Sequence, residues 1–180
     1  MSKLLNLLKE AQRVASSECG VPDIFQPGVA RKFAMAEALG HKLVPVKHGV
    51  DARDGREVDY GYLTGVAHHQ KGKLDQRCSF AIGGLTADNL SRITRNGRKF
   101  FFFGIFCGGL ELEEVWQVAV PAVLAEAQRQ LASSRQGKVV SVNFTQNWLT
   151  ANGTLVFADN SPTVPLSVPL SIPKVPPRAE

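Results

Sequence analysis

The sequence predicts an α/β protein, at the border with α+β, in which helices flank a mixed central β-sheet. Segments with helical periodicity and segments with strand periodicity follow one another along the chain. The most apolar run, residues 100–107, has the length of a central strand that is covered on both faces. Because 180 residues is the size of one domain, we expect a single domain over residues 1–158 and an extended tail over 159–180.

The first part of the chain is predicted to form two helices and then a group of strands. Apolar residues at helical spacing predict an amphipathic helix over residues 3–18. A second helix is predicted over residues 29–39, and Gly40 provides its stop signal. Strands are expected at 42–46, 50–53 and 57–64.

A hairpin and a loop are predicted to follow. The Asp54-Gly55 pair between two short strand-like runs is typical of a tight β-turn. Residues 65–76 are polar and contain two glycines, so we expect a loop there.

The second part of the chain is predicted to alternate between helices and strands. Thr86 is expected to cap a short basic helix that ends at Gly97, with Leu85, Leu90 and Ile93 facing the core. Further strands are expected at 100–106, 110–118, 138–142 and 154–157, and a helix at 121–133.

A proline-rich segment ends the sequence. Six of the ten prolines follow residue 160, at intervals that exclude a helix or an inner strand. We expect this segment to be extended. It would serve as a tether, as a ligand for an aromatic groove, or as an arm that contacts the same or a partner subunit.

The positive charge is concentrated in one stretch of the chain. Lys and Arg number 21 against 16 Asp and Glu, which gives a net charge of +5. Residues 69–99 contain seven basic and two acidic residues, so this stretch accounts for the whole excess. Such a distribution is compatible with binding to nucleic acid, and equally with an ordinary solvated surface.

The composition also indicates the compartment. No apolar run reaches the 18 residues of a membrane span, and charged residues interrupt the apolar amino terminus, which is unlike a secretory signal. An odd number of cysteines without a CxxC pair argues against a disulfide scaffold and a cysteine zinc site. We therefore expect a cytoplasmic protein that does not enter a membrane.

The predicted hairpin carries an acidic cluster. Glu57 and Asp59 lie two residues apart and so share one face of their strand, while Asp51 lies on the neighbouring strand. Converging carboxylates bind Mg²⁺, and a metal held in this way supports phosphodiester hydrolysis. The alternative is a charged hairpin that simply faces water.

Several segments are similar to the PD-(D/E)xK nuclease superfamily, and in particular to its blunt-cutting type II restriction endonucleases. The similarity spans roughly residues 15–131 and rests more on order and pattern than on identity. It is carried by residues 20–26, 43–45, 51–52 and 55–59, and more weakly by 102–106 and 112–116.

The resemblance implies a restriction-endonuclease-like fold around a mixed sheet and a Mg²⁺-dependent active site. Asp51 and Asp59 match the two metal-binding acidic residues, and Glu57 would assist them. The lysine of the family would fall two residues after Asp59, where this chain has Gly61.

Three explanations of Gly61 remain open. In the first, the lysine has moved along the chain. The candidates are Lys47, which lies just before Asp51, and Lys71 and Lys73, which lie in the predicted loop. Alternatively, Glu57 and Asp59 act as an acidic pair without a lysine. In the third explanation the chemistry has been lost and DNA binding retained.

The resemblance also implies residues that contact DNA. In the resembling enzymes, neighbouring histidines in this general region contact DNA bases. The basic residues of this chain suit contacts to DNA phosphates. The residues expected to bind DNA are His68, His69, Lys71, Lys73, Arg77, Arg92 and Arg95.

The resulting hypothesis is a type II restriction endonuclease that cuts double-stranded DNA as a homodimer. A palindromic DNA site has twofold symmetry, which matches the symmetry of a homodimer. The helix at 3–18 would supply the dimer contact. The second hypothesis is a non-catalytic DNA-binding protein on the same fold. A weaker third is an interaction module whose proline-rich tail recruits a partner.

Overall fold

The computed structural model describes most of the chain up to Asp159. The described residues are 2–26, 28–46, 49–53, 59–70, 73–75, 78–107, 109–134 and 140–159. The predicted turn at Asp54-Gly55 and the proline-rich segment lie outside these residues.

The described residues form helices and strands that alternate along the chain. The helices are α1 (Lys3–Cys19), α2 (Val29–Leu39), α3 (Val120–Ala132) and α4 (Gln146–Asn152). The strands are β1 (Lys42–Val46), β2 (Gly49–Arg53), β3 (Asp59–Gln70), β4 (Lys73–Asp75), β5 (Ser79–Leu85), β6 (Phe100–Cys107), β7 (Glu111–Ala119), β8 (Val140–Thr145) and β9 (Gly153–Ala158). Two short 3₁₀ segments, Ala87–Arg92 and Arg95–Gly97, lie between β5 and β6.

The main sheet is mixed and has the order β1-β2-β3-β6-β7-β9, with β4 paired to β3. Strands β3 and β6 are parallel over Tyr60–Ala67 and Phe100–Cys107. The other neighbours in the sheet are antiparallel. Strands β5 and β8 form a separate antiparallel pair. The predicted combination of helices with a mixed central sheet is therefore confirmed.

Strand β6 lies at the centre and contributes to two hydrophobic cores. Phe101, Phe103 and Ile105 pack with α3 and the β5–β8 pair. Phe102 and Phe106 pack on the other side with α1 and α2. Because successive side chains of a strand point to opposite faces, one continuous apolar run supplies both cores. This confirms the prediction of a doubly covered strand.

Elements with strong periodicity agree with the sequence prediction. Helix α2 covers the predicted residues and ends at Gly40, whose φ of 64° is left-handed. Helix α1 extends one residue beyond its predicted end. Strand β1 also has its predicted bounds.

The predicted loop over 65–76 is wrong in its described residues. Strand β3 continues through Gln70, and β4 then pairs with its last three residues. Gly65 is buried, and a Cβ there would overlap the Cys78 sulfur and lie 2.9 Å from Cε1 of Phe80. This glycine therefore permits close packing inside a strand and does not form a turn.

The predicted basic helix consists instead of the two 3₁₀ segments. The Asn89 side chain accepts a 2.8 Å hydrogen bond from the Thr86 N–H and donates one of 3.0 Å to the Gly84 carbonyl. Asn89 itself has a non-helical backbone, with φ −114° and ψ 16°. Local hydrogen bonds of this kind compete with a regular α-helix. The inward positions of Leu85 and Ile93 are confirmed, since both are buried.

Strand β5 and helix α4 have no counterpart in the sequence prediction. Helix α4 is only 7 residues long, and its start is fixed by the Thr145 hydroxyl, which accepts a 3.2 Å hydrogen bond from the Trp148 N–H. Short elements of this kind give little periodic signal.

Replacing Phe103 by alanine tests the central core. Phe103 is fully buried, with its ring centroid 5.2 Å from that of Phe80 and 5.4 Å from that of Phe144. We expect Phe103→Ala to lower the free energy of unfolding by about 3–5 kcal/mol, because burial is lost and a cavity remains. Urea denaturation measures this, with Leu155→Ala on β9 as the control because Leu155 is 43% exposed. Equal losses in both variants would contradict the assignment of Phe103 to the core.

Candidate functional site

The predicted acidic residues lie where β2 and β3 come together. Within the described residues, Ala52 of β2 pairs with Tyr60 of β3, and Arg53 pairs with Asp59. Asp51 is paired with Val44 of β1 on the other side of β2. Because alternate positions of paired strands share a face, positions 51, 53 and 59 lie on one face of the sheet.

A cleft of about 660 Å³ lies beside β3. Gly61 and Leu63, the alternate positions that follow Asp59, contribute to its lining from the sheet face of the acidic positions. Tyr62 and Lys32, which belong to the side of the sheet that packs with α2, line it as well. The full lining is Lys32, Gly61, Tyr62, Leu63, Ile82, Arg92, Ile93, Arg95, Arg98 and Phe101.

The charged side chains that line this cleft are basic. Lys32 comes from α2, and Arg92, Arg95 and Arg98 come from the connection that leads into β6. No acidic residue is part of the described lining. Concave surfaces with one sign of charge concentrate ions of the opposite sign, so this cleft favours an anion such as a phosphate.

Packing of the 3₁₀ segments positions the arginines. Ile93 is 1% exposed and fixes the backbone between Arg92 and Arg95. Arg92 donates from Nη1 to the Gly84 carbonyl at 3.0 Å. The guanidinium carbon of Arg98 lies over the Phe101 ring, 4.8 Å from its centroid. Cations held in this way lose little rotamer freedom when an anion binds.

The structure explains why position 61 is a glycine. Gly61 pairs with Phe101 across the parallel strands, and a Cβ at position 61 would overlap the Phe101 ring. Phe101 is itself 4% exposed and part of a hydrophobic core. A lysine at position 61 therefore conflicts with the packing of the neighbouring strand.

The remaining predicted site residues are distributed along the sheet. Arg92 and Arg95 line the cleft. His68, His69 and Lys73 belong to the β3–β4 pair and not to a loop. His68 is nine residues beyond Asp59, which corresponds to ~30 Å along an extended strand. Glu57, Lys47, Lys71 and Arg77 lie outside the described residues.

The sequence-based site did not include Lys32. Lys32 belongs to a helix that precedes the acidic residues by about 20 positions, and nothing local links it to them. Arg98 belongs to the basic stretch whose arginines suit phosphate contacts, and the structure places it in the cleft with Arg92 and Arg95.

A second cavity, of about 400 Å³, lies between the ends of α1 and α2 and the start of β1. His41 lines it and forms a 2.7 Å hydrogen bond through Nδ1 to the Tyr62 hydroxyl. Burial raises the pKa of Tyr62 and keeps it protonated. The His41 ring also packs against those of Tyr60 and Phe102. These contacts join the end of α2 to the sheet and provide a structural role for His41.

Comparisons with known proteins add no family assignment. Models of known protein families give no match to this chain, and curated proteins give none either. Among the described helices, none combines the length and the apolar character that a membrane span requires.

Substitution of Gly61 tests the conflict with Phe101. We expect Gly61→Ala to lower the free energy of unfolding by about 1–3 kcal/mol, because the added methyl group must displace an aromatic ring. The matched control is Gly83→Ala on β5, where an added Cβ lies 3.7 Å from Ser141 Oγ. Guanidinium denaturation gives both values.

A double-mutant cycle identifies the ring as the cause. In the Phe101→Leu background the cost of Gly61→Ala should fall, since the smaller side chain leaves space. An unchanged cost would show that Phe101 is not responsible.

Proposed function

We propose that the protein is a Mg²⁺-dependent endonuclease of the type II restriction class that cuts double-stranded DNA as a homodimer. One observation carries this proposal: positions 51 and 59, both aspartates, share a sheet face with Gly61 and Leu63, which line a cleft whose charged lining residues are basic. Acidic residues suit a divalent cation, and the neighbouring basic residues suit the phosphate on which it acts.

The two aspartates fit the metal that the resemblance implies. Mg²⁺ is bound in proteins through one or two carboxylates together with substrate phosphate oxygens, so the donor set does not require a third protein ligand. Asp51 and Asp59 would hold the ion. Within the described side chains, no group of three or more His, Cys, Asp or Glu residues comes together. When bound, Mg²⁺ would stabilise developing negative charge and favour attack by water.

The proposed reaction is phosphodiester hydrolysis. An oxygen of water bonds to phosphorus, and the bond from phosphorus to one deoxyribose oxygen breaks. That deoxyribose oxygen takes a proton and leaves as a hydroxyl group. Arg92 and Arg95 would hold the DNA backbone in the cleft through charge-assisted hydrogen bonds to phosphate oxygens.

The exposed part of α1 supports the homodimer. Four leucines in its first two turns are between 40% and 66% exposed, namely Leu4, Leu5, Leu7 and Leu8. A contiguous apolar surface of this kind favours contact with another chain. Twofold pairing would also match the symmetry of a palindromic DNA site.

A second candidate function is DNA binding without cleavage. The observation that favours it is the packing of Phe101 against Gly61, which leaves no room for the lysine of the family at that position. Losing an electrostatic stabiliser of the transition state typically lowers the rate by ~10²–10³, so an uncompensated loss would leave little activity.

Cleavage of plasmid DNA tests the nuclease proposal. With Mg²⁺ present, wild-type protein should give discrete fragments, and Asp51→Ala should abolish both the nick and the double-strand cut because the metal site is lost. The matched control is Glu111→Ala, which removes an exposed carboxylate at the start of β7. Cleavage by the Asp51→Ala variant at the wild-type rate would refute the assignment, while tight binding with no cleavage by wild type would favour the second function.

The salt dependence of DNA binding tests the cleft. A plot of log affinity against log salt concentration should show a slope of about −0.9 for each phosphate contact. We expect Arg95→Ala to make this slope shallower by about 0.9 on duplexes of any sequence. Arg13→Ala is the control, because Arg13 is an exposed arginine on α1 that is paired with Glu10. Titrations by fluorescence anisotropy at several salt concentrations give the slopes, and an unchanged slope for Arg95→Ala would exclude the cleft as the phosphate contact.

A further inference from the structure

Three residues form a stack at the floor of the basic cleft. Gly61 of β3 is at its base, and the Phe101 ring of β6 covers it. The guanidinium of Arg98 lies over the same ring, with its central carbon 4.8 Å from the centroid. All three residues line the cleft. The Phe101 ring therefore occupies the side-chain space of position 61, where the family resemblance places a lysine, and it also packs against a positive charge.

The stack lies on the sheet face of the acidic positions. Asp59 and Gly61 are alternate residues of β3, so they share a face, with Cα atoms ~7 Å apart. Strand β6 runs parallel to β3, and Tyr60 pairs with Phe100. Arg98, two residues before Phe100, is consequently at the end of the sheet where Asp59 begins its strand.

We propose that Arg98 contacts the scissile phosphate and supplies the positive charge that lysine supplies in the family. The inference rests on the proposed nuclease function. As the water oxygen bonds to phosphorus and the bond to the leaving deoxyribose oxygen breaks, Arg98 stabilises the negative charge on the non-bridging oxygens and keeps its own protons. Arg98 is thus a catalytic residue, and Phe101 is a positioning residue.

The stack gives Arg98 the properties that this role requires. The planar guanidinium of an arginine matches two phosphate oxygens at once, and the aromatic ring fixes its orientation. Arg98 is half-buried, so its interaction with a bound phosphate is screened by water less than that of an exposed residue.

The experiment separates DNA binding from chemistry. Duplex affinity is measured without a divalent cation, and the cleavage rate is measured in single turnover with Mg²⁺ at saturating DNA. Arg98→Ala should lower the rate by ~10²–10³ and change affinity by less than about tenfold. The matched control, Arg129→Ala, removes an exposed arginine of α3 that is paired with Glu126 outside the cleft, so the rate and the affinity should both stay within about threefold of wild type.

Rescue distinguishes a catalytic role from a structural one. Guanidinium ion, added at concentrations that leave the fold intact, should restore part of the rate of Arg98→Ala and leave the rate of Arg129→Ala unchanged. Arg98→Lys should retain more activity than Arg98→Ala. Phe101→Leu keeps the charge but removes the stack, and its rate should fall at least tenfold. This variant carries the test if Arg98→Ala does not fold.

Two outcomes would overturn the inference alone. One is wild-type activity of Arg98→Ala or Phe101→Leu at saturating DNA. The other concerns Arg53, the alternative cation, which is at the position paired with Asp59. If Arg53→Ala lowers the cleavage rate and Arg98→Ala does not, the inference fails. A wild-type protein that binds DNA and never cuts it would overturn the nuclease proposal together with this inference.

Discussion

The parallel pairing of β3 and β6 is the constraint on which the rest of the structure depends. Eight consecutive residues of each strand are paired, from Tyr60 with Phe100 to Ala67 with Cys107. Two parallel strands require a connection that returns to the end where the first one began. This connection contains β5 and the 3₁₀ segments. The arginines that precede β6 therefore lie at the end of the sheet where β3 begins, near position 59.

Small residues in β3 allow the layers above it to approach closely. Gly61 accommodates the ring of Phe101, and Gly65 accommodates Cys78 and Phe80. Burial raises the pKa of Cys78 to about 11, so this thiol is a packing residue and not a nucleophile. The floor of the cleft is therefore closely packed, its arginines come from the connection that leads into β6, and Lys32 comes from α2.

Sequence patterns predicted those elements that carry their own signal. Helices α1 and α2 have apolar periodicity and a glycine stop, and β6 is a continuous apolar run. Gly65 misled the prediction because a glycine needed for packing has the same appearance in sequence as one needed for a turn. The cleft itself could not be predicted from sequence, since it depends on the register of β2 against β3 and on the tertiary packing that brings Lys32 and Arg98, 66 positions apart, to one surface.

The crowding between Gly61 and Phe101 limits how the cation of this site can change. A lysine on β3 requires the ring of Phe101 to leave, and loss of that ring removes the support of Arg98. The two ways of placing a positive charge here therefore exclude each other. Under our proposal, no single substitution converts the arginine arrangement into the lysine arrangement. Introducing a lysine at position 61 first would place two side chains in one space, and removing the Phe101 ring first would leave Arg98 without its support.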